Sequence, residues 1–246
     1  MGNIKLVLEY DGTGFAGWQV QPQQRTVQGE LERALFDLTR EKVTVFAAGR
    51  TDGGVHAAAQ VCNFHLKRDL PLRSILMGGN AHLPPDVRIL RAEFVRADFH
   101  ARYDAQRRIY RYTICQKPAA LQRRFAWYYP QRLDLKAMQQ ACTMVVGKHD
   151  FRSFTPCRSD IENALCSVDW ALWRKRAGQG LEFEIAANRF LHNMVRILVG
   201  TFVEIGRSKR RPADIKTLLK SADRRAAGPT VPAHGLVFWH VQYIDR

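Results

Sequence analysis

The chain predicts an α/β (α+β) fold of two related halves, each an antiparallel sheet covered by helices. Three observations carry that expectation. Short segments of alternating polarity outnumber stretches of helical spacing, and the connections mix hairpins with helical crossovers. The second half repeats the style of the first, although identity between the halves is too weak for a repeat.

The elements follow in order. Asn3 to Glu9 alternate as a strand, and Val27, Leu31, Ala34, Leu35 and Leu38 then recur at the spacing that lines one helix face. Val43, Val45 and Ala47 alternate with Thr44 and Phe46, a strand over 43–48, and another covers about 58–66. A short helix near 71–80 and strands near 87–96 and 107–115 close the first series. In the second series Asp134 is a candidate N-cap for a helix carrying Leu135, Met138, Cys142 and Val145 on one face, with Gly147 as its stop. Strands near 165–175 and 180–187, a long apolar helix over about 189–205, a basic helix over about 212–221 and a last strand over 236–243 complete the chain. The expected division is 1–104, carrying a glycine-rich acidic turn, and 105–246, carrying the apolar helix and a basic C-terminal region.

At 246 residues the chain can bury a sizeable core, as one large domain or two small ones. Hydrophobic residues at 46% and charged residues at 25% are ordinary for a soluble globular protein. The charge balance is not. Lys and Arg number 38 against 23 Asp and Glu, a net of +15, which calls for a polyanionic partner. No apolar run reaches the length of a membrane span, no secretory signal opens the chain, and Leu6 breaks the myristoylation pattern. Nucleic acid therefore remains and membrane attachment has no support. Cys62, Cys115, Cys142, Cys157 and Cys166 are scattered and odd in number, without a Cys-x-x-Cys pair, and the eight histidines lack ligand spacing. That pattern predicts no metal, no disulfide framework and a reducing, cytoplasmic compartment.

Three constellations offer chemistry. Asp52 is the only acid between Glu41 and Asp69, set in Gly49-Arg50-Thr51-Asp52-Gly53-Gly54-Val55-His56-Ala57 two residues after Arg50. A lone acid on such a turn can present a reactive carboxylate to a polyanion, although Asp-Gly is also the commonest hairpin signature. Residues 190–205 hold ten large apolar residues in sixteen, the mark of a buried helix, with Arg196 in its middle. A buried guanidinium needs an anionic partner, and Asp52 is the isolated acid; the competing reading lets Arg196 reach solvent along a polar stripe with His192. In Gln106 to Ile114, a strand puts Tyr110 and Tyr112 on one face, either as core tyrosines or with one stacked on a base removed from its helix.

Two surfaces fit RNA. Residues 116–131 interleave Lys117, Arg123 and Arg124 with Phe125, Trp127, Tyr128 and Tyr129, either a looped-RNA surface or a strand with core aromatics. From Arg207 to Arg225 eight Lys/Arg stand against two Asp, a net of +6, with Arg207, Lys209, Arg210 and Arg211 as candidate phosphate contacts.

The chain resembles the TruA family of tRNA pseudouridine synthases. The resemblance rests on the 49–57 signature and on matching blocks in family order. These are Tyr10-Asp11-Gly12-Thr13, Gly17-Trp18-Gln19, Thr26-Val27-Gln28, Phe99-His100-Ala101-Arg102, Tyr110-Arg111-Tyr112 and Gly147-Lys148-His149-Asp150-Phe151 with Ser153-Phe154, followed by Phe190 to Arg196, Ala227-Gly228-Pro229-Thr230, Pro232-Ala233 and Gly235-Leu236. It implies the pseudouridine synthase fold with a central cleft, and a cofactor-free isomerase acting on uridines 38, 39 and 40 of the tRNA anticodon stem-loop. By the same resemblance Asp52 is the catalytic carboxylate, Tyr110 stacks on the target uracil near its C5, Arg196 pairs with Asp52, Arg50 helps displace the base, and the protein works as a homodimer. The alternative is a non-enzymatic RNA-binding module of two ferredoxin-like halves, in which Asp52 is only a turn residue.

Overall fold

The computed structural model describes residues 2–156, 163–176 and 180–244. Its contacts group the chain into two units, residues 1–108 with 237–246 and residues 109–236. The expected division was drawn along the chain. Contacts instead return the C-terminal strand to the first unit.

In the first unit β1 (Gly2–Tyr10) runs antiparallel to both β3 (His56–Leu66) and β4 (Val87–Val95). β10 (Leu236–Tyr243) joins β3 in parallel through Val237↔His56 and Phe238↔Ala57, giving the order β4-β1-β3-β10. Ile4, Leu6 and Leu8 of β1 are buried, as alternation directs. α1 (Val27–Thr39) buries Val27, Leu31, Ala34 and Leu35, and packs on α2 (Leu72–His82). The strand expected over 43–48 is reduced to β2 (Phe46–Ala47), paired with β3. Alternation was present, but the Val45 N–H donates to Glu32 Oε1 at 3.0 Å instead of to a strand neighbour.

The second unit holds β5 (Ala105–Cys115), most of which lies in it, β9 (Gly180–Ala187), β8 (Leu165–Arg176) and β7 (Gly147–Asp150), in that order. β6 (Trp127–Tyr128) adds a short parallel pairing to β5. Trp173, Phe183 and Phe202 form a ring cluster with centroids 5.1–6.4 Å apart, joining β8 and β9 to α4 (Met194–Gly206). α3 (Leu135–Cys142) and α5 (Asp214–Ser221) are the other α-helices described in this unit.

Asp134 caps α3 as expected, its Oδ1 accepting from Ala137 N at 3.0 Å. Gly147, however, opens β7 at φ +106° instead of stopping the helix. After Cys142 the backbone tightens to three-residue bonds, Met144 N to Ala141 O and Val145 N to Cys142 O, which end α3 four residues early. The apolar helix also starts late, at Met194. Asn193 sits left-handed at φ 58°, a conformation through which an α-helix does not run. Cys62, Cys115, Cys142 and Cys166 are buried free thiols; Cys157 lies outside the described residues. Burial pushes the Cys166 thiol up to about 11. Among the described residues no helix is long and apolar enough to cross a membrane.

Candidate active site

Asp52 occupies the first position of a turn in which Val55 N donates to Asp52 O at 3.1 Å. Gly54, the third residue, takes φ +77°, as a type II turn requires. This is not the tip of a long hairpin. β2 ends at Ala47 and β3 starts at His56, so the intervening loop is free to be held by other parts of the chain.

Contacts from residues 10–18 hold it. Gly17 bridges Asp52 in antiparallel fashion, and Trp18 N donates to Thr51 O at 3.0 Å. Gly54 N donates to Phe15 O at 3.2 Å. The Thr51 and Tyr10 hydroxyls, both buried, hydrogen-bond at 2.8 Å. Gly12 lies so close that a Cβ there would stand 2.0 Å from Val55 O, and its N–H donates to Nδ1 of buried His56 at 3.0 Å. Asp11 Oδ1 stands 3.2 Å from the same Nδ1.

The 15–18 segment is fixed in turn by α1. Val27 N and Gln28 N, first-turn donors that lack partners within the helix, donate to Gly17 O and Trp18 O at 3.2 and 3.0 Å. Thr26 completes the cap by accepting from Gly29 N. Tyr10, Gly12, Gly17, Trp18, Val27 and Gln28 of the matching blocks thus contribute directly or in turn to the placement of 51–56. Asp52 itself is half-buried and Arg50 is exposed.

Buried Arg108 was not legible as part of this machinery. Its guanidinium donates to Ala48 O at 3.0 and 2.9 Å and to Ala105 O at 2.8 Å, and it also bonds Arg102 O. It ties the entry of the Asp52 loop to the 99–105 loop. In sequence it is one of 38 Lys and Arg residues, with no local feature that sets it apart.

In the second unit β5 places Tyr110 at 7% exposure with its ring edge-on to Phe190, centroids 5.0 Å apart at 84°. Tyr112 is fully buried and donates to Pro232 O at 2.9 Å. Arg196 donates to the adjacent carbonyl, Val231 O, at 2.8 Å and to Asn193 Oδ1 at 2.8 Å. The 228–231 segment lies directly on α4: a Cβ on Gly200 would stand 1.9 Å from Pro229 O, and Gly228 N donates to Thr201 Oγ1 at 3.0 Å. Arg196 is half-buried, which corrects the expectation of a buried guanidinium. The late start of α4 leaves it in the first helical turn and not in the apolar middle.

A scan of family models matches residues 6–104 and 141–244 to the tRNA pseudouridine synthase model. The chain belongs to the tRNA pseudouridine synthase family. It is 44% identical over 245 residues to tRNA pseudouridine synthase A of Brevibacillus brevis, covering 99% of this chain and all of the relative. It is likewise 43% identical over 246 residues to the protein of that name from Geobacillus kaustophilus, covering 99% and 95%, and 44% over 244 residues to that from Moorella thermoacetica, covering 98% and 99%. The family is one of isomerases acting on tRNA.

For a pseudouridine synthase the charged surfaces are the next concern. Arg207, Lys209 and Arg211 are exposed. Arg210 pairs with Glu204 at 2.5 Å and Arg211 with Asp214 at 3.5 Å, leaving Arg207 and Lys209 as the cations of this group with the greatest free charge. In the 116–131 stretch some aromatics are packed and others exposed. Trp127 packs edge-on against Tyr112, while Phe125 and Tyr128 are 44% and 46% exposed beside Arg123 and Arg124. Among the described residues, no three His, Cys, Asp or Glu side chains are gathered to hold a metal ion.

Proposed function

We propose that this pseudouridine synthase isomerises uridines 38, 39 and 40 in the anticodon stem-loop of tRNA, with Asp52 as the catalytic carboxylate. The observation that carries the reading is the convergence on the Asp52 turn of Tyr10, Gly12, Phe15, Gly17 and Trp18, a segment held in turn by the start of α1. So many contacts around one half-buried acid exceed what a connecting turn needs. The reaction breaks the ribose C1′–N1 bond, turns the uracil and joins C1′ to C5. A fixed carboxylate serves it by attacking C1′, by adding to C6 or by taking the ribose 2′ proton.

In this proposal Tyr110 stacks on the detached uracil, its buried ring already steadied by Phe190. Arg196, anchored through Val231 O, directs its guanidinium to the Asp52 carboxylate. Exposed Arg50 helps draw the base from the stem, and Arg207, Lys209, Arg210 and Arg211 meet phosphates. The working unit is a cytoplasmic homodimer that needs no cofactor. The test is incubation with tRNA tritiated at uridine C5, followed by mapping of the modified positions. Tritium release confined to 38–40 is expected; no release, or release from other uridines, overturns the assignment.

A further inference from the structure

Outside the residues given catalytic or binding roles above, the first unit carries three aromatic side chains in successive contact, the last of them exposed. The Phe46 ring lies 5.0 Å from His100, and His100 lies 4.3 Å from Tyr103. Phe46 is 38% exposed and Tyr103 76%. The Arg102 guanidinium stands 5.8 Å from the Tyr103 centroid. A lone exposed tyrosine needs no explanation. Three rings in successive contact, tilted by 43° and 38°, with a cation at the exposed end do.

The loop that presents it is braced. Asn3 Nδ2 donates to Phe99 O at 2.8 Å, Ala101 N donates to Asn63 Oδ1 at 2.9 Å, and Tyr243 Oη donates to Ala101 O at 2.8 Å. Arg108 holds Arg102 O and Ala105 O. Arg102 N donates to His100 Nδ1 at 3.1 Å, which orients the imidazole, and burial lowers the His100 pKa below its ordinary value. Bonding of this kind lowers the cost of ordering the loop backbone on binding. The same Arg108 guanidinium holds Ala48 O, four residues before Asp52, and Phe46 belongs to β2, which leads into that loop.

We propose that Phe46, His100 and Tyr103 form a stacking platform for an unpaired nucleobase of the substrate RNA, with Arg102 beside it for a neighbouring phosphate. The proposal rests on the reading of the chain as a tRNA-modifying enzyme and deepens it. An exposed aromatic ring such as Tyr103 accepts any base, whereas a paired base offers no free face.

The experiment compares Tyr103→Ala and Tyr103→Phe with the wild type, binding an anticodon stem-loop RNA and a fully paired RNA of equal phosphate number. Loss of the ring should weaken stem-loop binding about tenfold, equivalent to about 1.4 kcal/mol. Tyr103→Phe should stay within about twofold of wild type, because the ring does the stacking. Paired RNA, salt dependence and thermal midpoint should not move in either variant, since no phosphate contact or buried group is lost. Wild-type affinity of Tyr103→Ala for the stem-loop overturns the platform, as does equal weakening toward paired RNA. A wild type that releases no tritium from tRNA, yet shows the Tyr103 effect, overturns the catalytic reading and leaves the platform standing.

Discussion

Gly17 and Asp52 face each other across an isolated antiparallel bridge, with Gly17 at φ +115°. A Cβ at position 17 would lie 2.7 Å from Thr51 O, so a side chain there meets both backbone strain and a steric block. Gly17→Ala should therefore push the 51–52 backbone outward. Strain of this kind costs about 1–3 kcal/mol. The variant should unfold at lower denaturant and lose turnover by a larger factor than tRNA affinity, because affinity is spread over many phosphates. Turnover equal to wild type would show that the approach of Gly17 does not set the loop.

Glu184 gives a pH signature in the second unit. Burial raises its pKa, but Arg111 Nε and Arg174 Nη2, each 2.7 Å from Oε2, with Trp170 Nε1 3.1 Å from Oε1, prevail and hold the carboxyl below its usual 4.5. A depressed pKa stabilises the fold above the unfolded value and loses that contribution as pH falls through the folded one. Glu184→Gln should cost about 1–3 kcal/mol near neutrality. The gap from wild type should close as pH drops below about 4.5. Urea unfolding across that range checks it, and a gap that stays constant into acid contradicts the assignment.

With a net charge of +15, tRNA affinity should fall steeply as salt rises. Arg207 and Lys209 should dominate the 207–211 contribution, since Arg210 and Arg211 already face Glu204 and Asp214. Replacing both Arg207 and Lys209 with Ala should lower the logarithmic salt slope by about 1–2. Filter binding at several salt concentrations measures it. An unchanged slope removes this segment from the RNA-binding surface.

Much of the fold was legible because periodicity reports burial. β1, β4, β8, β9 and β10 lie within a residue or so of where alternation put them. What failed did so for local reasons. β7 reads Gly-Lys-His-Asp and has no apolar period to detect. Asn193 breaks a run that composition alone would continue into helix. At the site, the glycine-rich turn and its lone acid were visible in sequence, because backbone freedom and charge are properties of residue type. The role of Arg108 was not, because it depends on three carbonyls brought together only by the fold.

The most direct test concerns Asp52 itself. Asp52→Asn keeps the size of the side chain and should leave the Gly17 bridge and the Thr51 contacts in place, while removing the charge that the chemistry needs. Tritium release from uridine C5 of tRNA and tRNA affinity should be measured on the same preparation. The expected result is release at background with affinity within about threefold of wild type, since binding rests on many phosphates. Substantial turnover by the Asn variant would contradict the assignment of Asp52 as the catalytic carboxylate.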